Sequence, residues 1–398
     1  MKICVYLFKW RLVKEIPMLV AQLNGRLIEA QKVSKDTSKK SRANFICPQC
    51  RQSVILKRGQ YRIAHFSHRG LSDCPYSESE SAAHQAGKLR FQADISEIGH
   101  MAVIERDFDA IKQRADVYVP DWQLVFEYQC SPISFTEIKR RTAGYQQVAA
   151  DVIWIVGDRH ATGRYRREQI AKFARFNDRL GFYFVSYSSK TRLFGLHYFI
   201  QEVAGKMVAE VQKFSNLRAL MAFMRTSQTH YSQQIGGHFQ ARQRILHQLR
   251  TIQESNLRRA KTYLSSVNAC YAAGRQFVGC PMICHGQAGG GLPIVKQGVL
   301  GWKVWLVLQL FERGQQDFST SELEAIFEAG CEQFLIEFAQ VRVGRQLMAD
   351  RFRQFIRDCR SAGYLRYTIG GIAIINRPEW FDDYDQKRRF ILTNRQLL

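Results

Sequence analysis

The sequence predicts an α/β multidomain protein, and three observations carry that expectation. Between residues 77 and 200 the periodicities run α, β, β, β, α, β, α, β, the order of a mixed sheet flanked by helices. Ahead of it, over 18–76, short strand-like runs surround a Cys- and His-rich segment. Behind it, over 201–398, helical patterns dominate. With 398 residues and 46% hydrophobic content, the chain can bury two or three separate cores.

The opening stretch, MKICVYLFKWRLVKEIP, scatters Lys2, Lys9, Arg11 and Lys14 among its apolar residues and offers no small-residue cleavage site. It is a poor signal peptide. Met18 begins a more regular run, MLVAQLNGRLIEA, with a turn at Asn24-Gly25, and is the expected start of the chain. No stretch is long and apolar enough to span a bilayer. Ten cysteines in a non-secreted chain of this length point to thiols and metal ligands rather than a disulfide framework, so a cytoplasmic protein is expected. The net charge of +23 favours polyanions. Without a basic amphipathic helix of wide apolar face, nucleic acid is a better partner than a membrane surface.

After the polar connector SKDTSKKSR, Cys47-Pro48-Gln49-Cys50 forms a knuckle. A strand, a turn at Gly59 and a second strand follow, then His65, His68 and Cys74. A CxxC with a His/Cys group about fifteen residues later has the spacing of a closed tetrahedral Zn²⁺ site. Five candidates compete for about four positions. Cys47 and Cys50 come first, and His65, His68 and Cys74 contend for the rest. A redox dithiol would instead open a helix beside a βαβ unit. The zinc is expected to be structural, because a zinc-ribbon-like module cannot bury enough apolar surface alone.

In ESESAAHQAGK, Ser79 or Ser81 caps a helix, and Glu80, His84 and Lys88 recur at every fourth residue on one face. The bland alternative is an exposed ladder of ion pairs. Met101–Phe108 reads as a strand, and two further β-type runs, Ala115–Val119 and Gln123–Gln129, flank a Pro120-Asp121 turn. If Asp121 and Trp122 form a two-residue loop, Pro120 pairs with Gln123 and Asp116 stands opposite Glu127, with Gln129 on the same face. Opposed residues lie about 5 Å apart at Cβ, where like charges repel. The compensator is a divalent cation, Mg²⁺ or Mn²⁺ by the oxygen donors, unless solvent, Arg106 or Arg114 serves instead.

SFTEIKRRTAGYQQVAA is helical, DVIWIVG a buried strand, RYRREQIAKFARF helical and FYFVSYS a strand, which ends the core near residue 200. Beyond it, Ile245, Leu249, Ile252, Ala260, Leu264 and Val267 share one face of a long helix that runs to Tyr271, beside Arg242, Arg244, Arg250, Arg258, Arg259 and Lys261. Cys270, Cys280, Cys284 and His285 are a weak second metal candidate beside the simpler reading of loop and core thiols. Three helices and a hairpin turning at Gly370-Gly371 resemble a winged helix over 300–380.

Together Glu80, Asp116 and Glu127-x-Gln129 form an acidic constellation suited to phosphodiester hydrolysis. Asp116 and Glu127 are the expected Mg²⁺ ligands, and Glu80 completes the shell or positions a second ion. A Lys would ordinarily orient or deprotonate water at position 129; Gln129 can orient it but cannot act as a base. His84 or Lys88 supplies the missing cation.

These residues resemble the PD-(D/E)XK nuclease superfamily, with Asp116 and Glu127-Tyr128-Gln129 at its core motif and Gln129 in place of the usual Lys. More narrowly, MLVAQLNG, CPQC…HFSH, ESAAHQAGK, RADVYV, FEYQCSPIS and RRTAGYQQVAADVIWIVG, in that order, resemble the competence protein CoiA family over about 18–157. The resemblance implies a zinc-finger-like N-terminus and a restriction-endonuclease-like α/β core. It also implies a role in processing or recombining incoming DNA during bacterial transformation. It marks Glu80, His84, Lys88, Arg114, Asp116, Glu127, Gln129, Arg141 and Tyr145, with Arg141 and Tyr145 placed to hold a DNA phosphate. The expected partners are single-stranded or branched DNA and recombination or competence proteins. The alternative is a non-catalytic DNA-binding factor on a decayed nuclease fold.

Overall fold

The computed structural model describes residues 17–34, 44–60, 62–68, 74, 81–161, 163–226, 238–258, 263–285 and 291–394. The N-terminal module is a five-stranded sheet built from β1 (Val20–Leu23), β2 (Arg26–Glu29), β3 (Phe45–Ile46), β4 (Ser53–Lys57) and β5 (His65–His68), in the order β2-β1-β3-β4-β5. Asn24 and Gly25 both take positive φ, so the first hairpin turns where the sequence places it. Met18, Phe45, Val54 and Phe66 fill a core of its own.

Next comes α1 (Ala82–Glu97), and after it β6 (Val103–Phe108), β7 (Gln113–Val119) and β8 (Leu124–Gln129). A helix, α2 (Phe135–Gln147), crosses over to β9 (Asp151–Val156), which lies parallel to β8. Then follow α3 (Arg167–Phe173), β10 (Arg175–Asn177), β11 (Gly181–Ser188), β12 (Leu193–Val203) and β13 (Lys206–Phe214). The sheet order is β13-β12-β11-β9-β8-β7-β6, with β10 beside β11. The expected order α, β, β, β, α, β, α, β is present, but the sheet does not stop near residue 200. That boundary falls inside β12, whose pairing with β13 carries the sheet on to Phe214.

Helices cover both faces. On one, Phe91 and Ile95 of α1 pack with Phe126, Tyr128, Tyr187 and Phe194, and α4 (Leu217–Thr226) adds Leu217 and Leu220. On the other, Ile138 and Tyr145 of α2 pack with Val125, Val152 and Trp154. This second core continues without a break into the C-terminal region, where Val304, Leu306, Phe311 and Phe334 belong to it.

That region comprises α5 (His238–Leu257), α6 (Leu264–Ala272), α7 (Val299–Phe311), β14 (Asp317–Ser319), α8 (Thr320–Phe334), α9 (Gly344–Ser361), β15 (Leu365–Thr368), β16 (Gly371–Ile374) and α10 (Tyr384–Thr393). The single long helix expected through Tyr271 is two, since α5 ends at Leu257 and α6 begins at Leu264. Of the basic residues on that face, Arg250 is paired with Glu254 at 2.9 Å. The strands β14-β16-β15 form a small antiparallel sheet; its final hairpin turns through Ile369 and Gly370, one residue earlier than expected. Among the described residues no helix is long and apolar enough to cross a membrane.

Candidate active site and metal centre

Two helices bring their side chains to the β6–β8 strands, and each does so through a glycine. At Gly87 of α1 a Cβ would meet the Tyr128 ring at 2.3 Å, and at Gly144 of α2 it would meet the Gln113 amide at 2.2 Å. A larger residue at Gly87 would collide with the Tyr128 ring and push α1 off the sheet, whereas one at Gly144 would displace the Gln113 amide. Ser81 caps α1 by accepting from the His84 amide at 3.2 Å, and Ser134 caps α2 by accepting from Glu137 at 3.0 Å. Of the two sequence candidates for the first cap it is thus Ser81. Glu80 lies outside the described residues.

The β7–β8 register runs Val119↔Leu124, Tyr118↔Val125 and Val117↔Phe126, and its continuation sets Asp116 opposite Glu127, as the sequence predicts. The loop differs in form. Pro120–Trp122 make a 3-10 turn and Gln123 takes a left-handed φ of 47°, so the connection is longer than two residues. At Asp116 the ladder opens, and its Oδ2 accepts the Tyr128 backbone N–H at 2.8 Å. On the other flank the β6–β7 pairing passes from Ile104↔Val117 to Arg106↔Ala115 and skips Glu105, whose φ is 52°. Three acids, Glu105, Asp116 and Glu127, thus occupy one row across three strands.

Each acid has a basic partner from the chain. His84 Nε2 lies 3.0 Å from Asp116 Oδ2. Lys88, with no exposed side-chain surface, donates to Glu105 Oε1 at 2.8 Å, and the Leu19 amide donates to the same oxygen at 3.1 Å. Arg141 and Tyr145 both donate to Glu127 Oε1. The Arg141 guanidinium also donates to the Arg114 carbonyl at 2.9 Å and lies 5.8 Å from the Trp154 ring centre. The expected compensators Arg106 and Arg114 are therefore not the partners of Asp116 and Glu127; Arg114 reaches Glu105 at 3.9 Å instead. Arg141 and Tyr145, expected to face a DNA phosphate, are directed at Glu127. The Gln129 amide nitrogen turns back on Ser131, with 2.7 Å to its carbonyl and 3.1 Å to its hydroxyl.

The environments split the two central carboxyls. Burial works to raise Asp116, but His84, Lys88 and the Tyr128 amide outweigh it and hold this carboxyl well below the usual carboxylate range. At Glu127 burial wins and the Asp116 charge adds to it, so its carboxyl is pushed up despite Arg141 and Tyr145. Burial works to lower Arg141, but Glu127, Tyr145 and Asp116 together outweigh it, so the guanidinium is raised in turn. Among the described residues the bonds to these acids fall on one oxygen each, Oδ2 of Asp116 and Oε1 of Glu127.

In the N-terminal module Cys47, Cys50, His68 and Cys74 bring one ligand atom each within 4.8 Å of one another, a cluster able to hold a metal ion. Cys47 and Cys74 sulfurs lie 4.0 Å apart, and His68 Nε2 is 3.1 Å from Cys50 Sγ. A tetrahedron with Zn–S bonds of 2.3 Å separates its sulfurs by about 3.8 Å. The fifth candidate, His65, points elsewhere, with Nδ1 at 2.8 Å from the Ile63 carbonyl. Alternation explains the choice: His65 and His68 lie three positions apart on β5 and face opposite sides of the strand. The Cys280 region is not such a cluster among the described residues. There buried Lys387 donates to Cys280 Sγ at 3.2 Å.

Glu105 and its contacts with Lys88 and Leu19 are absent from the sequence reading. An acid inside the strand VIERDF is the one available signal, and it needs the β6–β7 register to become informative.

In comparisons with known proteins, the family description "Competence protein CoiA, nuclease-like domain" matches residues 80–235. "Competence protein CoiA, N-terminal domain" matches 28–77, and together the two cover just over half of the chain. Competence protein CoiA of Bacillus subtilis (strain 168) is 30% identical over 127 residues, which is 31% of this chain and 34% of that relative. The match spans about a third of the relative's length. No solved structure matches.

Proposed function

The chain belongs to the competence protein CoiA family, and from that premise we propose that it is a Mg²⁺- or Mn²⁺-dependent deoxyribonuclease. It would process incoming or recombining DNA in the cytoplasm during transformation. The observation that carries this reading is the row of acids at the opened ladder, with Asp116 and Glu127 opposed and each, among the described residues, left with one oxygen outside the chain's own hydrogen bonds. The helix-strand-strand-strand-helix-strand order around that row supports a PD-(D/E)XK core.

Asp116 and Glu127 would hold the cation. When bound, it supplies Lewis acidity toward a phosphodiester oxygen and toward water. His84 fixes the orientation of Asp116, and Arg141 with Tyr145 fixes Glu127. Lys88 neutralises Glu105, so this third acid braces the row rather than adding charge to it. Gln129 can accept a hydrogen bond from water through its amide oxygen, since its nitrogen is engaged by Ser131. Zn²⁺ held by Cys47, Cys50, His68 and Cys74 is a structural ion in this reading. The order α7, β14, α8, α9, β15, β16 supports a winged-helix end, a further DNA-binding element.

A second reading has its own observation. Each acid already has a cation of the chain beside it, as befits a nuclease fold retained for binding single-stranded or branched DNA without cleavage. Purified protein incubated with single-stranded, duplex and branched DNA in Mg²⁺ or Mn²⁺ separates the two. Metal-dependent cleavage that disappears in Asp116→Asn and Glu127→Gln is the expected result. Tight DNA binding with no cleavage of any substrate selects the second reading.

A further inference from the structure

A second concavity lies on the α2 face of the sheet, away from the acid row. Its volume is about 910 Å³, and its walls come from the segment before α3, the β12–β13 turn and the strand-like stretch at Lys296. Arg164, Arg166, Lys206 and Lys296 line it, and all four are exposed. Among the described residues none of them has an ion-pair partner, whereas the neighbouring Arg167 is neutralised by Glu202 at 2.7 Å. Glu168 is the one acid on the walls. Four cations around one hollow repel each other, so an anion that enters gains from all of them at once.

Two features identify the anion. The volume falls within the range of clefts that enclose small ligands, so a strand end or a short single-stranded segment fits and a duplex does not. Tyr165 forms part of the wall, and its hydroxyl is fixed by His197 Nδ1 at 2.8 Å, which holds an aromatic ring beside the cations. Cations that follow a phosphate backbone, with an aromatic ring for a base, are the elements of single-strand recognition. In the sheet, β12 lies three strands from β8, about 14 Å at the usual spacing. The hollow is thus separate from the row that contains Glu127.

We infer that this basic hollow binds the phosphates of a single DNA strand, through Arg164, Arg166, Lys206 and Lys296, with Tyr165 as a stacking surface. The inference rests on the protein being a DNA binder, a premise common to the cleaving and non-cleaving readings, and not on catalysis. Fluorescence anisotropy with a labelled oligothymidylate, over a series of salt concentrations, tests it on the full chain. In the triple variant Arg164→Gln, Arg166→Gln, Lys206→Gln the affinity should fall by about tenfold or more, and the slope of log affinity against log salt should shrink by about two. The three residues are exposed, so the fold survives their replacement, and an unchanged thermal midpoint verifies this. Lys190→Gln, Arg218→Gln, Arg225→Gln, a charge-matched change at exposed positions outside the hollow, the acid row and the winged-helix end, should leave the slope as it is.

Equal binding by the wild type and the pocket variant, or equal weakening by the control, overturns the inference and leaves the functional reading intact. Displacement of the oligonucleotide by thymidine monophosphate at matching concentrations also overturns it, in favour of a mononucleotide site. If the wild type binds no DNA at all, the functional reading falls with it.

Discussion

Replacing Arg141 with Leu should destabilise the protein by about 3–5 kcal/mol, because it leaves Glu127 buried with no charge partner. Glu127 has only 5% of its side-chain surface exposed, and Arg141 is its only cationic partner among the described residues. The cost comes from the abandoned carboxylate more than from the lost bond. Changing Glu127→Gln together with Arg141→Leu should therefore cost less than the two single changes added, since the double variant buries no orphaned charge. Urea denaturation followed at the buried Trp154 reads this out, because the ring lies beside Arg141. A single-variant loss below about 1 kcal/mol would mean that water reaches Glu127 freely.

Cys47→Ser should release the metal from the N-terminal module and unfold it. A sheet with strands as short as two residues would depend on a bound metal for much of its folding free energy, about 10–16 kcal/mol in isolated zinc fingers. Elemental analysis should find about one Zn per chain in the wild type and none in this variant. Limited proteolysis should then cut ahead of α1 while the larger sheet stays intact. His65→Asn provides the contrast. Its ring is held by the Ile63 carbonyl and not by the cluster, so this variant should keep its zinc. Loss of zinc from His65→Asn but not from Cys74→Ser would reverse the ligand assignment.

The opposition of Asp116 and Glu127 was legible for a simple reason. Counting outward from a turn keeps the same pairing whether the loop holds two residues or four, provided the extra residues are added equally on both sides. The loop proved longer than expected, and the register did not change. Glu80 lies outside the described residues, but the other two members of the helix stripe were legible as well, because His84 and Lys88 do face the strands. Their targets were not. Lys88 reaches Glu105, which turns toward it only through a left-handed backbone that an L residue seldom adopts, at a typical cost of about 1–3 kcal/mol. Likewise, the partners of Glu127 come from a crossover helix, and no spacing along the chain tells which strand residue a helix side chain will meet. The extent of the sheet was misjudged where β13 is mostly exposed, since an edge strand with one wet face carries little hydrophobic signal. The four-cation hollow escaped notice because its walls come from segments far apart in sequence.

In the proposed function Asp116 and Glu127 act as a cation site although the chain already gives each a basic partner. Titration of Mn²⁺ into the protein with a single-stranded oligonucleotide, followed by electron paramagnetic resonance, tests that claim most directly. Mn²⁺ should be bound by the wild type and lost from Asp116→Asn, with zinc content unchanged and the variant still folded. Equal Mn²⁺ binding by the two proteins, or none by either at millimolar concentration, would contradict it and leave His84 and Arg141 as the final partners of these acids.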